Sequence, residues 1–299
     1  LEDTFDTICD HFPDYGYSPF MNEKFFDDWT HDLKWGIHQA RCVVGHNLKV
    51  AWNLTRMHSL MPKESYKTFA HQIADAIPAA GCDNQRGGWY DMMERTLKDG
   101  EENYRRVWHD RKAWWQQEQG ILAYYIMAGV YDDKPEYLSF AREGTAFYNG
   151  WFLDYESGGI YFNVLANGQP YALGSERGKG SHSMAGYHSF ELCFLAAIYS
   201  NLLVNKQPMD FYFKPDPQGW PDNKLRVAPD LLPKGSVELS EVWIDDKNYT
   251  DFDKDNMIVN LPASDKSLRV RVRIEPAGLG FSADLISFEN GIAQFALDG

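Results

Sequence analysis

The stretch Val43–Leu54, VVGHNLKVAWNL, sets the reading of this chain. Gly45 and His46 open it and an apolar-rich run follows, which predicts a helix with a histidine at its mouth. His46, Lys49, Val50 and Asn53 fall at i, i+3, i+4 and i+7, on one helical face. A histidine so placed either lines a pocket or starts a core helix, held by a local hydrogen bond. Its surroundings decide which.

Working outward, the same arrangement is written three times. A helix over residues 1–12 precedes a turn-rich stretch, Asp14–Trp29, and then the GHNLKVAWNL helix. A second helix, 63–78, precedes GGWYDMMERTLKDG (Gly87–Gly100) and the helix WWQQEQGILAYYIMAG (Trp114–Gly129). A third, 135–152, precedes GGIYFNVLANGQP (Gly158–Pro170) and GYHSFELCFLAAIYSNLL (Gly186–Leu203). Gly88 and Gly159 are 71 residues apart; His46 precedes Trp115 by 69, and Trp115 precedes His188 by 73. A steady period of this size marks one repeated supersecondary unit. Here it is helix, two-stranded excursion, helix. Alternation at Ile160, Phe162 and Val164 before Asn167-Gly168 predicts that the excursions are hairpins. Helix pairs that cannot bury their apolar faces alone stack on neighbours, in an open array or a closed toroid. Either brings equivalent ends of the second helices to one side. His46, Trp114, Trp115 and His188 all sit at those ends, and their convergence points to a pocket.

After Val204 the composition shifts. Residues 205–235, rich in Pro, Asp and Lys, predict an irregular connector. Residues 236–299 alternate over short runs bounded by Asp, Asn, Pro and Gly, and predict a small β-sheet or sandwich. In LRVRVRI, Arg269, Arg271 and Arg273 point to one face and Val and Ile to the other, as in a half-buried antiparallel strand with a solvated basic stripe. The terminal FALDG resembles the opening strand of a further unit.

The chain carries ten Trp, seventeen Tyr and eighteen Phe, side chains that fill cores and also form walls on which sugar rings stack. A formal net charge of -14 argues against a nucleic-acid or anionic-membrane partner. No apolar run is long enough to span a bilayer, and no signal peptide opens the chain. Cys9, Cys42, Cys82 and Cys193 lie far apart, without metal-ligand spacing. They read as free, mostly buried thiols of a reducing, cytoplasmic compartment. No metal or cofactor is expected. Leu1 starts the chain partway into an amphipathic pattern, as in a fragment or a processed product.

GHNLKVAW, WWQQEQG and GYHSFE, in this order and spacing, resemble the N-acylglucosamine 2-epimerase family, which includes cellobiose 2-epimerases and aldose–ketose isomerases. FMNEKFFDDW resembles the acidic stretch ahead of that family's first histidine, and the two Gly-Gly segments resemble its hairpins. The resemblance covers residues 1–204. It implies a mainly α fold, half of an (α/α)6 toroid of helix pairs, followed by the connector and the small β-rich domain. The other half would come from residues beyond either end, from further domains or from a second subunit. It also implies proton transfer at the carbon beside a sugar carbonyl, through an enediolate. His46 and His188 would be the acid–base pair, Trp114 or Trp115 a stacking wall, and Glu118 a hydroxyl ligand or histidine partner. Lys49 stands where the family has a glutamate, which would lower the basicity of His46. The approach to His188, KGSHSMAGYH, lacks the family's Pro, and His182 is a rival for the second position. Glu191, three residues past His188, offers it a carboxylate. Two further readings remain: a non-catalytic carbohydrate-binding or scaffold protein on the same fold, and a glycoside hydrolase using Glu118 and Glu191 as facing carboxylates.

Overall fold

The computed structural model describes residues 1–34, 40–107, 109–179, 184–219 and 222–278, and the backbone alone of 283–289 and 292–297. The chain divides into two compact units: Leu1–Ser200 with Asp230–Pro233, and Asn201–Pro229 with Lys234–Gly299.

The first unit runs α1 (Glu2–His11), β1 (Arg41–Val43), α2 (Val44–Leu60), α3 (Glu64–Gly81), β2 (Met92–Glu94), β3 (Arg111–Ala113), α4 (Trp114–Val130), α5 (Pro135–Trp151), β4 (Asn163–Leu165) and α6 (Tyr187–Ile198). These are the three predicted helix pairs. The second helices pack on one another, α4 lying against α2 and α6, while α3 backs α2 and α5 backs α4. Surrounded this way, α4 is buried along most of its length and has no single polar face. Two ends differ from expectation. α3 continues past Pro78 to Gly81, because the Ala74 carbonyl that Pro78 cannot bond accepts the Tyr124 hydroxyl at 2.9 Å instead. α6 stops at Ile198 and gives way to a π-helical turn, Tyr199–Val204.

The hairpin expectation holds only in part. Glu94 and Val107 bond back to Arg105 and Met92, and Leu165 and Gly168 close the Asn167-Gly168 turn with Gly168 at φ 84°. The main ladders, however, join neighbouring repeats. β1 pairs with β2 and β3 with β4, both antiparallel. The strand entering α2 is thus held by the strand that follows α3, and the strand entering α4 by the strand that follows α5.

A shared turn keeps the repeats in step. In DNQRGGWY, the Asp83 carboxylate accepts the amides of Gln85 and Arg86, and Gly87 bonds back to the Asp83 carbonyl at 2.7 Å. Lys112 then spans Asp83 (2.8 Å) and the Gly87 carbonyl (2.7 Å). In DYESGGIY, Asp154, Gly158 and Lys179 make the same set, at 2.6 and 2.8 Å from the ammonium. The paired glycines have φ between 72° and 87°, a region open to glycine at little cost.

Trp89, just past the first such turn, is the wedge between α4 and α5. A Cβ added at Gly120 would meet its ring at 2.6 Å, and one at Gly144 would overlap it outright. Gly144→Ala, favourable for a helix in isolation, is therefore expected to lower stability by about 1–3 kcal/mol through overpacking, read from urea denaturation.

The second unit is built of β5 (Met209–Phe213), β6 (Lys224–Arg226), β7 (Val237–Ile244), β8 (Lys247–Tyr249), β9 (Phe252–Asp253), β10 (Ile258–Asn260), β11 (Val270–Pro276), β12 (Ala283–Glu289) and β13 (Ile292–Leu297). Their orders are β5-β11-β7-β8, β6-β10-β9 and β12-β13. β5 and β6 lie inside 205–235, so that stretch is not the irregular connector expected. β11 alternates as predicted: Val270, Val272 and Ile274 are buried, Arg273 pairs with Asp210 at 2.8 Å, and Arg271 lies 3.7 Å over the Trp243 ring. The side chains of FALDG lie outside the described residues.

All four cysteines are free, but only Cys42 is fully buried; Cys9 and Cys82 are half-buried and Cys193 is exposed. Burial pushes the Cys9 thiol up to about 11 and that of Cys82 up to about 12. Among the described residues, no helix is long and apolar enough to cross a membrane.

Candidate active site

β1 runs straight into α2, whose N-terminus has no side-chain cap of its own. The orphan amide of Gly45 donates instead to Gln116 Oε1 on α4, at 2.6 Å. A Cβ at Gly45 would sit 2.7 Å from Gln116 and 2.8 Å from Trp115, so glycine is what lets the two helix mouths meet. Gln116 donates its amide to Asp91. Asp91 takes the Arg111 guanidinium at 2.5 Å, and Arg111 reaches Glu176 at 2.7 Å. Burial raises the Asp91 carboxyl, with Arg111 opposing it.

The same turn of α2 fetches a carboxylate for His46. Asn47 donates to the Val43 carbonyl and accepts the Met21 amide at 2.9 Å. Buried Arg95 donates to the carbonyls of Phe20 and Met21 and to Asp14. Residues 20–22 are thereby pinned, and Glu23 Oε2 stands 2.6 Å from His46 Nδ1. A carboxylate only accepts, so Nδ1 carries a proton, and in the neutral ring Nε2 keeps the lone pair.

His46 and His188 both pack on Trp115, with ring centroids 5.2 and 5.7 Å from it. That puts the two imidazoles within about 11 Å of each other. They line one open cavity of about 300 Å³, with Lys49, Trp114, Tyr187 and the Asp91–Arg111–Glu176 cluster. Trp114 is buried on Phe162 and edge-on to His188. Trp115 is the wall between the histidines. His188 Nδ1 lies 3.2 Å from Gln119 Nε2. Burial, then the charge of Lys49, pushes the His188 imidazolium down to about 4.

Several expected roles move. The carboxylate partner of His46 is Glu23, and the charge of Lys49 bears on His188. Glu191 does not touch His188: it accepts from Gln119 at 3.1 Å and lies 4.0 Å from Lys49. Glu118 does not line the cavity. It is buried and accepts the hydroxyls of Tyr148 and Ser189, both at 2.6 Å. The helix explains this. Gln116, Gln117, Glu118 and Gln119 are consecutive and fully buried, and each step turns 100°. They bond in turn to the α2 mouth, the Trp89 backbone, the α5–α6 side, and Trp52 with His188. Four polar residues in a row within an apolar helix were the signal for this hub. His182 lies outside the described residues. Asp91, Arg111, Glu23 and Gln119 went unassigned because their partners are distant in sequence.

Burial pushes the Glu118 carboxyl up to about 7. A raised native value stabilises fully below the unfolded carboxyl range and is lost as pH rises through about 7. Glu118→Gln keeps an acceptor for both hydroxyls and removes the charge. It is expected to match the parent at pH 4 and to exceed its stability at pH 8 by about 1–3 kcal/mol, seen as a pH-dependent gap in melting temperature.

No family model matches the chain, nor does any curated protein. Solved structures do. A cellobiose 2-epimerase from Bacillus thermoamylovorans B4167 superposes with TM-score 0.53 at 20% identity, covering 66% of this chain and 45% of its own. A sugar epimerase from a ruminal bacterium gives 0.51 at 14%, covering 66% and 46%. The cellobiose 2-epimerase from Spirochaeta thermophila DSM 6192 gives 0.50 at 14%, covering 66% and 48%. The fold is sugar-epimerase-like. The chain spans about half the length of these epimerases.

Proposed function

We propose that the helical unit is half of an (α/α)6 toroid in a sugar 2-epimerase or aldose–ketose isomerase. The observation that carries this reading is the cavity in which a carboxylate-paired His46 and His188 share Trp115 as a wall. An aromatic wall suits a pyranose face, and the Asp91–Arg111–Glu176 cluster supplies acceptors and donors for hydroxyls. With the open-chain aldose in place, the His46 Nε2 lone pair takes the C2 proton and the electrons pass to the carbonyl oxygen. The epimerase-like fold supports the same class. The test is incubation of the full chain with a panel of aldoses in heavy water. Deuterium on the carbon skeleton is expected, and its absence with every sugar would sink the reading.

A second reading is a sugar-binding protein without catalysis. Lys49 favours it, since an ammonium stands where the resemblance implies a glutamate and disfavours charge on His188. Calorimetric binding of a sugar without exchange would select it. The hydrolase reading loses its carboxylate pair, because neither Glu118 nor Glu191 lines the cavity.

A further inference from the structure

His46 and His188 hold their protons on different nitrogens, and the reason lies behind the cavity wall. The Trp52 indole N–H can only donate, and it donates to Gln119 Oε1 at 2.8 Å. That fixes which way the Gln119 amide points. Its two N–H groups therefore go to Glu191 Oε2 at 3.1 Å and to His188 Nδ1 at 3.2 Å. Nδ1 of His188 must offer a lone pair, so the neutral ring carries its proton on Nε2. A second proton would have to enter on Nδ1, against an N–H already aimed at it. The neighbouring charges are Lys49 on α2 and Glu191 on α6, 4.0 Å apart. Glu191 spends its contact on Gln119 and Lys49 rather than on the imidazole. His188 can donate from Nε2 but cannot take up a proton there. His46, with Nδ1–H bound to Glu23, is its complement and offers Nε2 as a base.

We propose that this site carries protons on one side of the sugar only, through His46, with His188 as a neutral hydrogen-bond donor set by Gln119, so that the reaction is aldose–ketose isomerisation and not C2 epimerisation. The inference rests on the sugar reading above. Inversion at C2 needs one group to remove the proton and another, opposite, to deliver one. Here a single group moves it. His46 Nε2 takes the C2 proton; the C–H pair becomes the C1–C2 double bond, and the carbonyl pair moves onto O1. His188 Nε2–H stabilises that oxygen, as a neutral imidazole can. In the open cavity His46, 43% exposed, exchanges this proton with solvent and delivers one to C1 while another moves from O2 to O1, and the C2 carbonyl of the ketose forms. Atoms and electrons balance with no co-reactant. Gln119 touches no reacting atom and is a positioning residue.

The test has two independent readouts on the full chain. The first is long-range ¹H–¹⁵N spectroscopy of labelled histidine, with the His188 signals assigned from His188→Gln. An unprotonated Nδ1 and a protonated Nε2, unchanged from pH 8 to pH 5, are expected. A protonated Nδ1, or titration near the ordinary histidine value, overturns the proposal whatever the sugars do. Trp52→Phe, which keeps an aromatic ring and frees the Gln119 amide to turn, is expected to mix the tautomers. An unaltered tautomer there removes Gln119 from its role. The second readout is product: a ketose deuterated at C1, without the C2 epimer, supports the assignment, and the epimer overturns it. No exchange with any aldose while the tautomer holds would sink the sugar reading and the isomerase assignment with it, leaving the tautomer standing.

Discussion

His46→Gln is expected to lower proton exchange by about 10³-fold, in kcat with KM nearly unchanged. Its Nε2 is the lone pair that the geometry leaves for the C2 proton, and an amide cannot replace it as a base. The ring is 43% exposed, so the substitution costs little packing, and the melting temperature should stay within a degree or two of the parent. Glu23→Gln should fall between the two. It preserves shape but lets Nδ1 accept rather than donate, so a share of the rings carries the proton on the wrong nitrogen. Rates across this pair, measured by deuterium uptake into an aldose, separate the base from the group that orients it. Equal rates for His46→Gln and the parent would remove His46 from the mechanism.

The second large effect is on stability. Lys112 has no exposed surface and is held by Asp83 and the Gly87 carbonyl. Lys112→Met retains the stem, which packs over Phe147 with the ammonium 4.0 Å from the ring centroid. It leaves a buried carboxylate and a carbonyl without their donor. Removing one partner of such a pair costs about 3–5 kcal/mol, and urea denaturation should show it. The equivalent Lys179→Met is the control. Its ion pair with Asp154 has the same bonds, but Lys179 is 31% exposed, so water replaces what is lost and the midpoint should move far less. Equal effects at both positions would show that the turn, and not burial, sets the cost.

Much of the helical unit was legible because its signals are local. Apolar periodicity and a steady spacing near 70 residues located the three helix pairs, and the equivalent helix mouths brought His46, Trp115 and His188 together. What could not be read was which far residue meets which. Glu23 lies in the acidic stretch FMNEKFFDDW, yet only Asn47 and Arg95 decide that it reaches His46. Glu118 was placed one turn below Trp114, which is right along the helix. Trp114, however, lines the cavity from its seat on Phe162, while Glu118 is turned to the hydroxyls of Tyr148 and Ser189. The strands misled for a related reason. Alternation and Asn-Gly marked them correctly, but a strand three residues long does not specify its partner, and the ladders formed between repeats. Residues 205–235 hid their strands behind Pro, which flanks β5, and behind Asp, one of which, Asp210, sits within β5 and pairs with Arg273.

The two sides of the cavity are anchored in different currencies. His46 and Trp115 follow strands whose backbone ladders reach into the next repeat. Among the described residues α6 has no such ladder ahead of it, and its first turn is tied by His188 to Gln119 and by Ser189 to Glu118. One wall is therefore fixed by main chain, and re-aiming it takes a change of loop length or register. The other is fixed by two side chains of one helix, and single substitutions can re-aim it. Variation in what this pocket accepts is open chiefly on the His188 side.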